Sequence, residues 1–283
     1  MNFLEADTES VLRFAVTDAS ELASLERDFM TDIFASRLTG ILVRGAFPAS
    51  AMARVVERLE SGMCGHVERA SKFWRGRAIG PSLQHSVPDL RDYFAEVRAF
   101  RNDCAELFDG GPDFQTRIDE LLVQARAGQP LSALRGPAGE LYAMTTIRGL
   151  VPGSTMQPHC DIEQFKFPAI RHLASRLDAS AMLSYLLQLA TPESGGVLHV
   201  YGVRYDDEAG ETFARMEFST EESMRAIAAY GEVIVPMAPG DLLLFNAGHY
   251  FHQVDPVVGS RTRWTQGGFL SRSYDGGSVY CWH

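Results

Sequence analysis

The chain has 283 residues, of which 46% are hydrophobic and 22% are charged, a composition typical of a globular protein with a sizeable core. Its formal net charge of −10 argues against a nucleic-acid partner, because phosphate binding needs clustered lysines and arginines. No apolar stretch approaches the ~18 residues of a membrane span, and the N-terminus lacks the basic and apolar segments of a secretory signal. The four scattered cysteines are typical of free thiols in a reducing compartment. We therefore expect a cytoplasmic protein.

Helical patterns dominate the start of the chain. Residues 19–37 space their apolar side chains at three- and four-residue intervals, which predicts an amphipathic helix. Residues 40–48 form a short apolar run bounded by Gly and Pro, which predicts a strand. Residues 50–61 then predict a second helix, with Ser50 as its N-terminal cap.

The pattern changes at about the middle of the chain. Residues 88–127 are predicted to be mainly helical, so we expect residues 1–139 to form a mainly helical N-terminal region. Residues 140–283 instead contain seven short runs rich in β-branched and aromatic residues, separated by Gly, Pro, Asp and Asn, which predicts an antiparallel sandwich or barrel. Residues 206–230 interrupt these strands with an acidic, partly helical insertion. We expect an α+β protein of one domain (1–283), with the helical half packed on a β core.

One short segment after the midpoint carries a metal-binding pattern. His159 and Asp161 lie two residues apart, so on an extended backbone both side chains point to the same side. An imidazole and a carboxylate from one strand, joined by a second imidazole from elsewhere, form the facial triad that leaves Fe(II) three open positions. A histidine in a turn beside an unrelated Asp would show the same sequence pattern. A second histidine at a suitable position is needed to distinguish a metal site from such a turn.

The segments around this pair resemble those of a known family. These are HCD at 159–161, LLQLATPESGGVLHV at 186–200, PGDLLLFNAG at 239–248 and HQVDPVVGSR at 252–261. In their order and spacing they resemble the cupin-like Fe(II)/2-oxoglutarate dioxygenases, and the resemblance covers residues 140–272. It implies a double-stranded β-helix, or jelly roll, in the C-terminal half. It also implies Fe(II) as the metal and 2-oxoglutarate and O2 as cosubstrates.

The resemblance implies a complete set of iron ligands. His159, Asp161 and His252 match the family's ligand positions, with His252 opening the His-x-Val-x-Pro-Val segment. His249, three residues earlier, is the alternative distal ligand, but it would face the other side of a strand. We therefore expect His249 to be a neighbouring residue rather than a ligand.

Three further residues are candidates for binding 2-oxoglutarate. In the family a basic residue on the strand after the distal histidine holds the C5 carboxylate, and a guanidinium suits this role because it donates two parallel hydrogen bonds. Arg261 is our choice for this residue. Arg263 shares its face if the strand is regular, in which case it holds either the cosubstrate or a carboxylate of the substrate; the alternative is that one of the two lies on the surface. Gln188 matches a position where relatives often have a Tyr that touches 2-oxoglutarate.

The resemblance also bears on the reaction. Related halogenases replace the ligand carboxylate by Gly or Ala, which frees a position for chloride, whereas Asp161 keeps it and predicts hydroxylation. Length and a helical first half resemble the BesD/HalD-like amino-acid hydroxylase/halogenase group. This implies a small polar substrate, such as a free amino acid or a derivative, with Arg263 or a loop containing Arg75 and Arg77 as anchors. The alternatives are a protein or peptide hydroxylase and a cupin-type metal-binding protein without oxygenase activity.

Overall fold

The computed structural model describes residues 2–5, 12–65, 67–70, 74–85, 90–218 and 220–283. Within these residues the strands, in chain order, are β1 (Asn2–Glu5), β2 (Arg13–Asp18), β3 (Gly40–Arg44), β4 (Val67–Ala70), β5 (Arg75–Ile79), β6 (Ser132–Ala133), β7 (Thr146–Leu150), β8 (Met156–His159), β9 (Met182–Ala190), β10 (Ser194–Gly195), β11 (Leu198–Arg204), β12 (Glu232–Val235), β13 (Leu242–Phe245), β14 (Tyr250–Val254), β15 (Val257–Val258), β16 (Arg263–Arg272) and β17 (Val279–Trp282). The α-helices are α1 (Phe29–Phe34), α2 (Ala49–Glu60), α3 (Leu90–Leu107), α4 (Phe114–Gln124), α5 (Glu208–Phe213) and α6 (Glu221–Ala228). Each of the seven apolar runs predicted as strands contains a strand.

A large mixed sheet forms the centre of the fold. Its strand order is β1-β2-β3-β13-β9-β16-β7-β5-β4, with β17 pairing with β16 and with β6. The strand β13 lies between β3 and β9, and its sequence Leu-Leu-Leu-Phe is buried throughout. A continuous apolar run is expected there, because a central strand covered on both faces has no solvent side.

A second sheet of four strands packs against the first. Its order is β12-β11-β14-β8, and all its pairings are antiparallel. Leu198, Val200 and Val254 from this sheet share one apolar cluster with Leu150 and Leu243 from the large sheet. The two sheets therefore face each other across a common core, as two-layer β proteins do.

Helices cover the other face of the large sheet. Val55 of α2, Phe100 of α3 and Ile118 of α4 are buried in the same cluster as Ile41 and Leu187 of the sheet. Each fully buried apolar side chain of this size contributes about 1.5–3 kcal/mol, so this face anchors the helices to the β core. In the described part of the chain, no helix combines the length and the apolar character needed to cross a membrane.

The N-terminal region contains more strand than its sequence predicts. Strand β3 confirms the strand predicted at 40–48, whereas β2, which pairs with β3 in parallel, and β4 and β5, which form the opposite edge of the large sheet, are additional. The pattern at 19–37 is not one helix: a 3-10 turn at Leu22–Leu25 ends where Glu26 adopts a positive φ of 47°, and α1 follows. The predicted Ser50 cap is also wrong, because Pro48 occupies the N-cap position of α2. The apolar spacing is still explained, because both short segments bury the side chains that it picked out.

The acidic segment predicted as an insertion joins β11 to β12 and contains α5 and α6. Phe213 of α5 and Ile227 of α6 are buried against Tyr201 and Phe251 of the four-stranded sheet. These contacts hold the segment against the outer face of the sheet that carries the histidines described next.

Candidate active site

The three predicted metal ligands come together at one end of the four-stranded sheet. His159 ends β8 and pairs directly with His252 of β14, so the two imidazoles lie side by side with ring centroids 4.3 Å apart. Asp161 opens a 3-10 turn immediately after β8, and its backbone N–H donates to the Ala247 carbonyl at 2.7 Å. Because Cys160 between them is extended (φ −119°, ψ 137°), His159 and Asp161 point the same way although the strand has ended.

The distances between these side chains suit one metal ion. The Nε2 atoms of His159 and His252 lie 3.6 and 3.9 Å from Oδ1 of Asp161, and the three ligand atoms all fall within 4.8 Å of one another. Asp161 and His252 are 6% and 5% exposed, so water competes little for them. Two imidazoles and one carboxylate arranged on one side of a point are the ligand set of non-haem Fe(II) sites with open positions.

Backbone carbonyls orient both imidazoles. Nδ1 of His159 donates to the Gln157 carbonyl at 2.7 Å, and Nδ1 of His252 donates to the Tyr250 carbonyl at 3.0 Å. Since a carbonyl can only accept, each Nδ1 must carry the hydrogen, which leaves a lone pair on each Nε2 for a metal. Burial, reinforced by the neighbouring His159, lowers the pKa of His252 to about 4, so this imidazole is neutral near pH 7.

The carboxylate is oriented in a similar way. The Ser184 hydroxyl, on β9 of the large sheet, donates to Oδ2 of Asp161. The other oxygen, Oδ1, is the one that faces both histidines. Ser184 therefore fixes which oxygen is presented to the metal, and it ties the two sheets together at this point.

A cavity between the two sheets contains these ligands and two arginines. Leu186 and Phe245 of the large sheet line it together with Leu198 of the small sheet, and Arg148 and Arg263 project into it from β7 and β16. Both arginines therefore share the cavity with the metal ligands.

Arg263 is 4% exposed, and in the described residues its guanidinium forms neither a hydrogen bond nor an ion pair. Burial lowers its pKa to about 10, which still leaves it positively charged at neutral pH. Gly196 packs against it: a Cβ at this position would lie 3.2 Å from Cδ of Arg263 and 2.7 Å from Cγ of Pro192. A buried cation without a partner is costly, so this end of the cavity suits an anionic ligand.

Arg261, our predicted anchor for 2-oxoglutarate, lies elsewhere. It is exposed, donates to the Pro192 carbonyl at 3.4 Å and lines a separate groove with Glu60 and Arg77. The prediction that Arg261 and Arg263 share a face assumed a regular strand, whereas β16 begins only at Arg263. The structure therefore places Arg263, not Arg261, in the cavity with the metal ligands.

Gln188 is also outside the cavity. It is 2% exposed, and its side-chain amide donates to the carbonyls of Ala190 and of Trp264, the latter at 3.3 Å. These contacts satisfy the amide within the large sheet, at the irregular register between β9 and β16. Its position thus has a structural explanation that involves no ligand.

The alternative histidine and the basic loop also lie away from the metal ligands. His249 contacts the Ser180 carbonyl through Nε2 at 2.8 Å, and its Nδ1 lies 3.5 Å from Asp206. Arg75 and Arg77 belong to strand β5 rather than to a loop. Arg77 pairs with Glu60 at 3.2 Å on the face of the sheet opposite to Arg148.

Comparisons with known proteins place this geometry in a family. Residues 11–283 match the family model described as "Carrier-protein-independent halogenase WelO5". The chain belongs to this family. As a member of this Fe(II)/2-oxoglutarate group it is a non-haem iron enzyme, and its cofactor and cosubstrates are Fe(II), 2-oxoglutarate and O2. No curated protein sequence matches the chain.

Solved structures with the same fold share little sequence with this WelO5-family chain. An N-substituted L-amino acid dioxygenase from Burkholderia ambifaria AMMD is 18% identical, with a TM-score of 0.51 and coverage of 89% of this chain and 90% of that one. The structure of its complex with α-ketoglutarate is 17% identical to this chain, with a TM-score of 0.53 and coverage of 92% of this chain and 91% of that one. A prolyl-4-hydroxylase from Pseudomonas putida is 14% identical with a TM-score of 0.44, covering 89% and 98%. At such identities the likeness to the two dioxygenase structures concerns the fold alone.

The residues present in this WelO5-family member fit the cofactor and the cosubstrate that the family implies. Two Nε2 lone pairs and one carboxylate oxygen converge for iron, and the unpaired guanidinium of Arg263 fits a carboxylate. The sequence analysis missed Ser184, Arg148 and His283, all three of which line the cavity. A signal for Arg148 existed: an arginine in the predicted strand 141–150 shares its face with apolar and small residues of a β core, where a charge is unexpected.

Proposed function

We propose that this enzyme hydroxylates an unactivated C–H bond of a small polar metabolite, such as a free amino acid or an amino-acid derivative. We propose His159, Asp161 and His252 as the iron ligands, held in a double-stranded β-helix formed by the two facing sheets. The observation that carries the proposal is the buried carboxylate of Asp161, directed at both histidines within the cavity that holds Arg263.

Asp161 favours hydroxylation over halogenation. The family takes its description from a halogenase, and related halogenases have Gly or Ala at the position of the ligand carboxylate, which frees a coordination position for chloride. In this chain the carboxylate is present, and Ser184 holds it toward the site. With the protein supplying three ligands and 2-oxoglutarate two, one position remains, and O2 needs it.

Arg263 is proposed as the residue that binds the C5 carboxylate of 2-oxoglutarate. A guanidinium donates two parallel hydrogen bonds to a carboxylate, and its planar shape fixes the orientation of the bound anion. Bound iron and 2-oxoglutarate supply the chemistry, in which O2 is activated while the cosubstrate is decarboxylated to succinate. The protein's contribution is to hold the cosubstrate by its far end, to present the three metal ligands and to keep bulk water from the cavity.

The depth of the site supports a small substrate. Three of the polar residues that line the cavity, Arg263, His252 and Asp161, are only 4–6% exposed. Small-molecule sites are concave and have a few convergent polar groups, as this cavity has. The shared fold with a dioxygenase of N-substituted L-amino acids adds such derivatives to the candidates.

The test is a turnover screen with mass-spectrometric detection. Purified enzyme is incubated with Fe(II), 2-oxoglutarate and O2, in chloride or bromide, with free amino acids, N-acylated amino acids and proline-containing peptides. We expect succinate that depends on the substrate and a product heavier by one oxygen atom. A halogenated product from the unmodified enzyme would refute the argument from Asp161. Turnover of peptides alone would assign the enzyme to the protein hydroxylases instead.

A further inference from the structure

Arg148 is a second cation in the cavity, and the proposed chemistry gives it no role. It lies on β7 and pairs with Thr265 of β16, so its side chain points to the cavity face of the large sheet. Its side chain is half-buried; desolvation lowers the pKa of its guanidinium, and the charge of Asp161 acts in the opposite direction. None of the carboxylates in the described residues forms an ion pair with it.

The one side-chain hydrogen bond that Arg148 makes in the described residues does not compensate its charge. Its Nη2 contacts Nε2 of His283 at 3.1 Å, and the Thr146 hydroxyl contacts the same nitrogen at 3.0 Å. Because a guanidinium can only donate, Nε2 of His283 must be the acceptor, so this imidazole is neutral. Burial lowers the pKa of His283 well below its usual value, in agreement with a neutral ring. The contact therefore orients Arg148 and leaves its positive charge uncompensated.

The two arginines lie close enough together for their positive charges to interact. Arg263 pairs with Leu150, two residues from Arg148 on the neighbouring strand, so the two Cβ atoms are diagonal neighbours about 7 Å apart. Arg263 is buried and Arg148 is half-buried; two cations at this spacing repel, and each favours an anion nearby. One of these anions is the C5 carboxylate of 2-oxoglutarate, which the proposed function gives to Arg263.

The charges of the loaded site identify the second anion. The two positive charges of Fe(II) and the one of Arg263 are balanced by Asp161 and by the two carboxylates of 2-oxoglutarate. The metal itself compensates the carboxylate that chelates it. The charge of Arg148 then remains unbalanced, because among the described residues no acidic side chain other than Asp161 lines the cavity. The ligand still to enter is the substrate.

We infer that Arg148 binds a carboxylate of the substrate, and that the enzyme therefore selects acids over the corresponding primary amides, which lack the carboxylate charge. The inference rests on the proposed function, and it narrows the substrate class to metabolites with a free carboxylate, such as amino acids and N-acylated amino acids. His283 acts as a positioning residue, because it holds one nitrogen of Arg148 and leaves the others free for the ligand.

The test compares acids with their own amides. The probes are L-amino acids and N-acetyl-L-amino acids, each beside its primary carboxamide. Turnover gives the KM for each probe, and calorimetry on Mn(II)- and 2-oxoglutarate-loaded enzyme under argon gives binding without turnover. In Arg148→Gln we expect the KM and Kd of the preferred acid to rise at least about 30-fold, the range for loss of a buried charge pair. The amide and 2-oxoglutarate should change less than about 2-fold.

Arg77→Gln is the matched control, because Arg77 lies on the adjacent strand but faces away from the cavity. Arg148→Lys keeps the charge and should retain part of the acid preference that Arg148→Gln loses, which separates charge recognition from a merely structural role. The wild-type comparison needs no variant, so a folding defect cannot hide the answer.

Two results would overturn the inference: a wild type that binds no acid of the set better than its amide, and an Arg148→Gln enzyme that keeps the preference while its 2-oxoglutarate KM rises. The second result would assign Arg148 to the cosubstrate. Absence of any succinate from the wild type would instead refute the proposed function, and calorimetry would still decide the acid preference.

Discussion

The two ends of the cavity differ in how far the protein itself satisfies their polar groups. At the metal end, Nδ1 of each histidine and Oδ2 of Asp161 already have a protein partner, so only the ligand atoms are left. At the arginine end, Arg263 has no partner in the described residues, and Arg148 has only a neutral imidazole. The metal end is thus built in advance, whereas the arginine end depends on ligands to balance its charge.

This difference predicts different responses to substitution. Removing a group at the metal end disrupts a preformed arrangement and lowers the affinity for the metal. Removing a cation at the arginine end takes away an uncompensated buried charge, so the ligand-free protein should lose little stability or gain some. The following experiments test each half of the comparison.

The largest effect is expected for His252→Ala, which should abolish stoichiometric iron binding while the fold survives. The reason is that a facial triad with two ligands lacks the third donor that retains Fe(II). Metal content after equilibrium dialysis measures this, and circular dichroism checks the fold. His249→Ala is the control and should keep its iron, because His249 contacts the Ser180 carbonyl instead. Loss of iron from His249→Ala but not from His252→Ala would instead assign His249 as the metal ligand.

The next effect is on the cosubstrate. Arg263→Gln should raise the KM for 2-oxoglutarate by about 30-fold to several thousand-fold, since losing one partner of a buried charge pair costs on the order of 2–5 kcal/mol. Arg261→Gln is the matched control two residues away, and its exposed side chain predicts a change below about 2-fold. Steady-state kinetics at varied 2-oxoglutarate measure both. Equal effects at 261 and 263 would contradict the assignment of the cosubstrate site.

The same position tests the stability half of the comparison. Arg263→Met replaces the cation by an apolar side chain of similar length, and the metal-free variant should be at least as stable as the wild type, with a gain on the order of 1 kcal/mol. Urea unfolding of both proteins without ligands gives this difference. A loss of several kcal/mol would mean that Arg263 has a partner within the protein and is not waiting for a ligand.

A smaller effect is expected for Ser184→Ala. Losing the hydroxyl that orients Asp161 should lower iron affinity or activity by about 10- to 100-fold, the range for residues that support metal ligands. Competition with a metal chelator measures the affinity. Ser180→Ala is a suitable comparison, because this serine bonds to Asp178 on an exposed turn. An unchanged affinity in Ser184→Ala would show that the carboxylate needs no support.

The smallest effect concerns acid stability of the metal-free protein. His252 has a pKa of about 4 in the folded state and about 6.5 when unfolded, so the unfolded state binds more protons and stability rises with pH. Below pH 6.5 this histidine should cost on the order of 1 kcal/mol per pH unit, until the pH nears 4. Urea unfolding across pH 4–7 measures the slope, which should be shallower in His252→Asn. Equal slopes would contradict a neutral buried imidazole.

The local patterns predicted much of the fold. The apolar runs of the second half locate strands, and the extended conformation of Cys160 gives His159 and Asp161 a common direction, as their spacing predicts. The local apolar patterns did not predict structure that depends on pairing between strands distant in the sequence. Strand β3 was predicted from its apolar run, but β2 was not, because its role is set by the sheet that it joins through β3.

By itself, the sequence determined the types of chemistry that are available: an HxD pair, a later histidine, a carboxylate instead of Gly, and arginines near both. Only the tertiary structure decided which arginine serves the site. The sequence favours Arg261 over Arg263, but Arg263 is the first residue of β16 to pair with β7, and its side chain is the one that reaches the cavity. The pairing register of β7 with β16 also directs the side chain of Arg148 into the cavity. Strand limits and register depend on contacts between distant segments, and these exist only in the folded chain.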